Sequence, residues 1–178
     1  PIETDEKIQA VITVKEFDEN NYFIMGTKKG LIKKTQMSQY ASIRKNGLNA
    51  INLKDGDELI GVRMTTGESE IIIFTRNGYA IRFKETDVRP MGRTATGVRA
   101  ITLRDGDITV SMDIVAEDQD VLVISENGFG KRTHISEYTA HRRGGKGIIT
   151  YKITEKTGAI AGARVVKDGD EMMLINSS

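Results

Sequence analysis

Basic side chains recur at two fixed places in this 178-residue sequence. Cationic groups at regular intervals can neutralise a row of phosphates. No aromatic residues are interleaved with them, which favours contact with a sugar–phosphate backbone over stacking on bases. The first set follows three glycine turns and consists of Lys33, Lys34, Arg82, Lys84, Lys131 and Arg132. The second set lies further along each repeat and consists of Arg44, Lys45, Arg89, Arg93, Arg142, Arg143 and Lys146. The alternative is that each pair only solvates a strand face, but recurrence at equivalent positions favours phosphate binding.

The segment from His141 to Gly147 carries the most specific signal. Its sequence, His-Arg-Arg-Gly-Gly-Lys-Gly, places two glycines between cationic residues. Gly144 and Gly145 would let backbone N–H groups and cationic side chains approach phosphates closely. A plain turn explains Gly147 equally well, but it does not explain the three basic residues together. We therefore include both Gly144 and Gly145 in the predicted phosphate-binding loop.

Enzymatic chemistry is not expected from this chain. It has no cysteine, and its two histidines, His134 and His141, lack partners for a metal site. No paired-carboxylate or phosphate-loop motif occurs. The motif Asp55-Gly56-Asp57 offers two carboxylates, whereas Ca²⁺ takes about six to eight oxygens, so turn chemistry explains it better. We expect no catalytic residue, metal or cofactor in this chain.

The elements that position these residues belong to an internal repeat. The turn glycines Gly30, Gly78 and Gly128 follow one another after 48 and 50 residues. A second series, Gly47, Gly97 and Gly147, recurs after 50 and 50 residues. Periods of this length are typical of four-stranded propeller-like blades.

Each unit has the sequence pattern of β-structure. Ile71–Phe74 and Val121–Ile124 are short apolar runs rich in branched residues, as buried strands are. Asn77-Gly78 and Asn127-Gly128 predict hairpins with type I′ turns. We therefore predict a single all-β domain over 1–178, with repeats at approximately 8–58, 59–108, 109–159 and a truncated 160–178. Three to four blades form a partial ring, either an open arc or part of a longer chain.

Composition agrees with a folded β-domain, but the total charge alone does not favour binding to nucleic acid. Hydrophobic residues make up 38% and charged residues 29%, and no apolar run approaches the length of a membrane span. The start of the chain is polar and acidic, so no signal peptide is expected. The net charge is only +1, so any nucleic-acid surface must arise from segregation of charges.

The loop His141–Gly147 resembles the seven-residue basic box of DNA gyrase A subunits, whose usual form is Gln-Arg-Arg-Gly-Gly-Lys-Gly. His141 replaces the glutamine. The segments Asp57–Val62, Val88–Gly92, Thr96–Arg99 and Asn127–Thr133 also look like that family's C-terminal domain, so the resemblance covers essentially the whole chain.

The resemblance implies a β-pinwheel, six-bladed in the family, that wraps double-stranded DNA around a basic perimeter. It implies a role in ATP-dependent negative supercoiling by a type II topoisomerase of two A and two B subunits. The catalytic tyrosine lies in the family's N-terminal part, and ATP with Mg²⁺ is bound through other domains. The family is bacterial, cytoplasmic and nucleoid-associated, and no membrane is involved.

The family's box usually lies in the first blade, whereas His141–Gly147 lies in the third repeat. We therefore expect a box-like copy in a later blade, with the true box upstream. Two alternatives remain open: the C-terminal domain of the topoisomerase IV counterpart of the gyrase A chain, and a protein-interaction β-propeller.

Overall fold

The computed structural model describes residues 7–42 and 47–175. Its strands in chain order are β1 (Tyr22–Thr27), β2 (Leu31–Gln36), β3 (Leu59–Thr65), β4 (Glu70–Thr75), β5 (Tyr79–Lys84), β6 (Val98–Arg99), β7 (Thr109–Val115), β8 (Asp120–Ser125), β9 (Gly130–His134), β10 (Ile148–Ile149) and β11 (Ile160–Val166). Short 3-10 helices, Met37–Tyr40, Glu85–Asp87 and Ile135–Glu137, follow β2, β5 and β9. The predicted all-β fold of repeated blades is confirmed.

The strands form three antiparallel sheets that share strands between repeats. The first sheet has the order β3-β1-β2-β6, the second β10-β5-β4-β7 and the third β11-β8-β9. Strand β6 pairs with β2 of the preceding repeat, and β10 pairs with β5 in the same way. Each of the first two sheets is therefore completed by a short strand from the following repeat. We call the side of each sheet that carries β6 or β10 its outer edge.

Each predicted repeat after the first begins with a strand that belongs to the preceding sheet. Strand β3 opens the predicted repeat 59–108 but lies in the first sheet, and β7 opens 109–159 but lies in the second. Strand β11, at the start of the predicted last copy, completes the third sheet on β8. The glycine period therefore describes the spacing of blades but not which strands one blade contains.

The hairpin turns differ from the predicted type I′ form. In the described chain the only non-glycine residue with positive φ is Asp118, so Asn77 and Asn127 do not adopt the conformation that type I′ requires. Instead the Gly78 N–H donates to the Thr75 carbonyl at 3.2 Å, and Gly78 alone has φ +90°. This is a three-residue loop with glycine in the left-handed position. The Thr75 hydroxyl favours it by accepting the Tyr79 N–H at 3.3 Å.

Two apolar layers fill the spaces between neighbouring sheets. The run in β4 is buried on both faces, because Ile71 and Ile73 face the first sheet while Ile72 and Phe74 face the third. The first layer includes Ile24, Ile32, Ile71, Ile73 and Phe83. The second includes Ile72, Phe74, Val121, Val123 and Tyr138. The continuous apolar sequence of β4 thus follows from its position in the central sheet.

Strands β3, β7 and β11, at the edges opposite the outer edges, pack on one another. Arg63 of β3 donates to Asp113 of β7 at 3.1 Å. The second carboxylate oxygen of Asp113 accepts the Val165 N–H of β11 at 2.9 Å. These strands therefore hold the three sheets together on the inner side, and the outer edges lie on the opposite side.

Prediction for the hairpin glycines. A Cβ at Gly78 would overlap the Tyr151 carbonyl oxygen, whereas a Cβ at Gly128 meets nothing within 4 Å. Both residues have positive φ, +90° and +79°, so alanine at either position costs about 1–2 kcal/mol for the left-handed backbone. We expect Gly128→Ala to lower the free energy of unfolding by that amount and Gly78→Ala by several kcal/mol more. Urea unfolding measures both, and equal losses would contradict the close approach of the Tyr151 carbonyl to the second hairpin.

Candidate nucleic-acid interface

The basic loops lie along the outer edges because of the strand exchange. After β5 and β9 the chain passes through a 3-10 helix and a loop before it reaches the preceding sheet as β6 or β10. These two loops, 88–97 and 138–147, contain most of the second predicted basic set. Arg44 and Lys45 lie outside the described residues. The structure therefore places the loops on the perimeter, whereas the residues of the first basic set differ from one another in burial.

Lys33 is fully buried, so the prediction that it belongs to an exposed basic surface is wrong. Its ammonium group donates to the backbone carbonyls of Ala50 and Arg93 and lies 5.9 Å from the Tyr40 ring centroid. Burial, with a smaller contribution from the charge of Arg93, lowers the pKa of Lys33 to about 8. Lys33 thus ties the first sheet to the loop of the second repeat.

Lys34 and Arg82 have equivalent structural roles, four residues after their turn glycines. Lys34 is 4% exposed and pairs with the buried Glu85 at 3.4 Å, which corrects its predicted exposure. Arg82 is partly buried and pairs with Glu70 at 2.5 Å. It also donates to the carbonyls of Ile135 and Tyr138, each at 3.1 Å. Each of the two cations therefore joins its sheet to the 3-10 segment of the next repeat.

The third copy of this position, Arg132, is exposed but already paired. Its guanidinium contacts the carboxylates of Asp120 and Asp168. These bonds, to Asp168 first and Asp120 second, raise the pKa of Arg132. Its neighbour Lys131 is exposed and donates to the Thr150 carbonyl at 3.2 Å. Both can face solvent, although Arg132 would have to exchange carboxylates for phosphates.

The three remaining residues of the second repeat that are predicted to bind DNA differ in their exposure to solvent. Lys84 and Arg89 are exposed. Arg93 is half-buried, and its guanidinium donates to the Asn49 carbonyl while its N–H donates to Gln39 at 2.9 Å. Lys84 and Arg89 therefore present charge at the perimeter, and Arg93 holds the loop against the first repeat.

The loop from His141 to Gly147 is ordered by contacts to the second repeat. Arg143 donates to the carbonyls of Asp87 at 2.8 Å and Arg99 at 3.0 Å. The Gly144 N–H donates to the Ala100 carbonyl at 2.6 Å. This N–H is therefore already occupied, in contrast to the prediction that it can approach a phosphate. Gly145 is exposed, and its carbonyl accepts the Thr102 N–H at 2.8 Å.

The cations that remain accessible on this loop are Arg142 and Lys146. Both are exposed, and neither makes a side-chain hydrogen bond to the described part of the chain. Arg143 supplies the anchoring, so the three basic residues do not have one common role. Their arrangement presents two cationic side chains from a fixed backbone, which suits binding to phosphate oxygens.

Sequence reasoning missed Arg99 and Arg104. Arg99 is exposed next to the anchored loop, and Arg104 donates to the Lys146 carbonyl at 2.6 Å. Both lie more than forty residues before Lys146. Nothing in the spacing of the basic residues indicates that they come together, because that depends on β10 pairing with β5 of the preceding repeat.

The second aspartate of each Asp-Gly-Asp motif stabilises a loop. Asp57 accepts the Lys29 and Glu58 N–H groups, both at 2.9 Å. Asp107 accepts the equivalent N–H groups of Asn77 and Ile108 at 3.0 and 2.8 Å. Over residues 7–42 and 47–175, no group of three or more His, Asp or Glu residues could hold a metal ion. Within the same ranges, no helix is long and apolar enough to cross a membrane.

Blades that share strands, packed at one edge and carrying basic loops at the other, define a propeller-like β-pinwheel. The family model described as "DNA gyrase C-terminal domain, beta-propeller" matches three successive segments, 21–66, 69–116 and 119–167. The chain belongs to this family, and the resemblance found in the sequence is confirmed.

Curated relatives support the same assignment. The DNA gyrase A chain of Clostridium acetobutylicum is 65% identical over 176 residues, covering 99% of this chain and 21% of the relative. The DNA gyrase A chain of Escherichia coli K12 is 44% identical over 178 residues, covering 100% and 20%. The chain therefore spans about a fifth of the length of the curated relatives it matches.

Solved structures share the fold. The C-terminal domain of DNA topoisomerase IV superposes with a TM-score of 0.88 at 32% identity, covering 94% of this chain and 53% of the other. The DNA gyrase A C-terminal domain gives 0.84 at 28% identity, covering 94% and 56%. The fold alone is thus common to both kinds of topoisomerase domain.

Prediction for Lys33. Because its folded-state pKa of about 8 lies below the ordinary 10.5, the unfolded chain binds more protons between these values. Stability should therefore rise with pH from about 8 to 9.5, by at most about 1.4 kcal/mol per unit. Stopping near 9.5 avoids tyrosine ionisation. Urea unfolding across this range should show a smaller rise for Lys33→Met, and parallel curves for the two proteins would contradict the assignment.

Prediction for Arg82 and Lys84. The two cations are two residues apart on β5, yet only Arg82 joins neighbouring repeats. We expect Arg82→Met to lower the free energy of unfolding by about 2–4 kcal/mol, since Glu70 and two carbonyls lose their partner. Lys84→Met should change it by less than about 0.5 kcal/mol. Thermal or urea unfolding gives both values, and similar losses would show that Arg82 has no special structural role.

Proposed function

We propose that this chain binds double-stranded DNA along its outer edges and bends it there, as the DNA-wrapping part of the A chain of a DNA gyrase. The observation that carries the proposal is the fixed loop 141–147, whose backbone is anchored to the second repeat while Arg142 and Lys146 point to solvent as accessible cations. Lys84 and Arg89 add exposed charge on the preceding loop.

The electrostatics suit a bent duplex better than a general basic binder. The whole chain carries only +1, so attraction for DNA must come from cations collected on the perimeter. Duplex DNA has one charge for about every 1.7 Å of its axis, which offers a continuous row of phosphates to successive repeats. Contacts of this kind follow DNA without reading its sequence. A duplex that contacts the outer edges of successive blades is bent by them.

The relatives support a larger role. We propose that the bent DNA segment supports ATP-dependent negative supercoiling by a type II topoisomerase built of two A and two B subunits. The reacting groups, the ATP site and its Mg²⁺ belong to other parts of that assembly. The chain itself acts as a DNA-binding domain in the bacterial cytoplasm, on the nucleoid.

Topoisomerase IV is the second candidate, since that enzyme's C-terminal domain superposes with a TM-score of 0.88. The Arg-Arg-Gly-Gly-Lys-Gly sequence and the 65% identity to a gyrase A chain favour gyrase. Relaxed circular DNA and ATP distinguish the two when the complete protein is assembled with its B partner. Gyrase introduces negative supercoils, whereas topoisomerase IV leaves the relaxed circle without them.

Prediction for duplex binding. Arg142→Ala combined with Lys146→Ala should lower the slope of log affinity against log salt by nearly two, since each phosphate contact contributes about 0.9. The matched control combines Arg164→Ala in β11 and Lys167→Ala directly after it, which removes two positive charges on the inner side. Fluorescence anisotropy with a linear duplex over a salt series gives the slopes.

The control should keep the wild-type slope. Equal effects of the two double variants would show that affinity depends on total charge rather than on the outer edge. Salt-insensitive binding that neither variant alters would instead support the protein-interaction propeller.

A further inference from the structure

The Arg104 side chain lies between an aromatic ring and the basic loop. Its guanidinium carbon is 3.4 Å from the centroid of the Tyr79 ring, and its terminal nitrogen donates to the Lys146 carbonyl at 2.6 Å. Tyr79 is the first residue of β5 and pairs with Ile149 of β10. Arg104 thus joins the hairpin of the second repeat to the end of the loop from the third.

The segment 99–104 supports the loop along its length. The Arg99 carbonyl accepts Arg143, and the Ala100 carbonyl accepts the Gly144 N–H. Thr102 binds the loop through its N–H and through its hydroxyl, which donates to the Gly144 carbonyl at 2.6 Å. The loop of the third repeat therefore lies on a segment of the second repeat at each of its central positions.

This support gathers basic residues of two repeats on one surface. We call the set Arg99, Arg104, Arg142, Arg143 and Lys146 the composite surface. Two exposed acidic residues lie beside these cations, Asp87, whose carbonyl accepts Arg143, and Asp105, which follows Arg104, so the five cations outnumber them. A loop that is already ordered loses less conformational entropy when it binds a ligand than a free loop would.

The cation–ring stack at the end of the loop is specific to the second hairpin. At the position of Tyr79 the first hairpin has Leu31, which cannot stack with a cation. The third hairpin has Phe129, whose ring lies 5.3 Å from the Lys156 ammonium. The 3.4 Å stack together with a hydrogen bond to a basic loop occurs, in the described chain, at Tyr79.

We propose that Arg104, stacked on Tyr79, is a positioning residue that fixes Lys146 so that the composite surface binds phosphates of one duplex from two repeats at once. This proposal rests on the proposed function and deepens it. Lys146 and Arg142 of the third repeat and the exposed Arg99 of the second make the contacts, and Arg104 acts through the loop backbone. Removing the stack without changing the charge should then weaken DNA binding.

Prediction for the stack. Tyr79→Leu places in the second hairpin the residue that the first one has, and it removes no charge. We expect it to weaken duplex binding about fivefold and to lower the salt slope by about one contact. Tyr79→Phe keeps the ring face and should restore both values. Phe129→Leu, the same change in the third hairpin, is the matched control and should bind as the wild type does.

Double variants separate positioning from a general loss of structure. In a Lys146→Ala background, Tyr79→Leu should cause little further loss, because its effect passes through Lys146. Amide exchange at 144–147 should be faster in Tyr79→Leu, while β4 and β8 keep their protection. An additive loss in the double variant, or a global loss of protection, would overturn the positioning role.

The two proposals fail in different ways. If Tyr79→Leu binds with the wild-type affinity and slope while Lys146→Ala weakens binding, the proposed function stands and the positioning role is overturned. If the wild-type chain itself shows no salt-dependent binding to the duplex, both proposals are overturned.

Discussion

The pairing of each outer strand with the next repeat is the constraint on which the rest of the structure depends. Strand β6 pairs with β2, and β10 with β5, so neither outer edge is left open. To reach that edge the chain must pass close to the preceding strand. A Cβ at Gly97 would lie 2.6 Å from the Ile32 carbonyl, and one at Gly147 would lie 2.5 Å from that of Ala80. Gly97 and Gly147 therefore serve strand exchange, and the basic loops reach the perimeter because they lead into the exchanged strands.

The same connection divides the basic residues into two groups. Lys34 and Arg82 point towards the next repeat, where Lys34 pairs with a carboxylate and Arg82 donates to backbone carbonyls, and they hold neighbouring sheets together. Arg142 and Lys146 lie on loops whose backbones are already bound, so their side chains remain in water. A chain of nearly neutral charge can thus stabilise its blades with some cations and offer others to phosphates.

Local patterns predicted the repeat and its strands, because the glycine period and the apolar runs of β4 and β8 are contained within one unit. The partners across units could not be predicted in this way. Lys33 looks exposed in the sequence, yet the Arg93 carbonyl that binds it comes from the following repeat. The Asn77-Gly78 pair suggested a type I′ turn, but the Thr75 hydroxyl and a third loop residue favour another turn. Arg104 was missed because its contact with Lys146 depends on strand exchange.

The claim that DNA follows the outer edges is tested most directly by amide hydrogen exchange of the chain with and without a linear duplex. We predict slower exchange in the presence of DNA at 85–93 and 139–147. Strands β3, β7 and β11, on the inner side, should exchange at the same rate in both samples. Protection of β11 and the residues after it, with 139–147 unchanged at saturating DNA, would contradict the account.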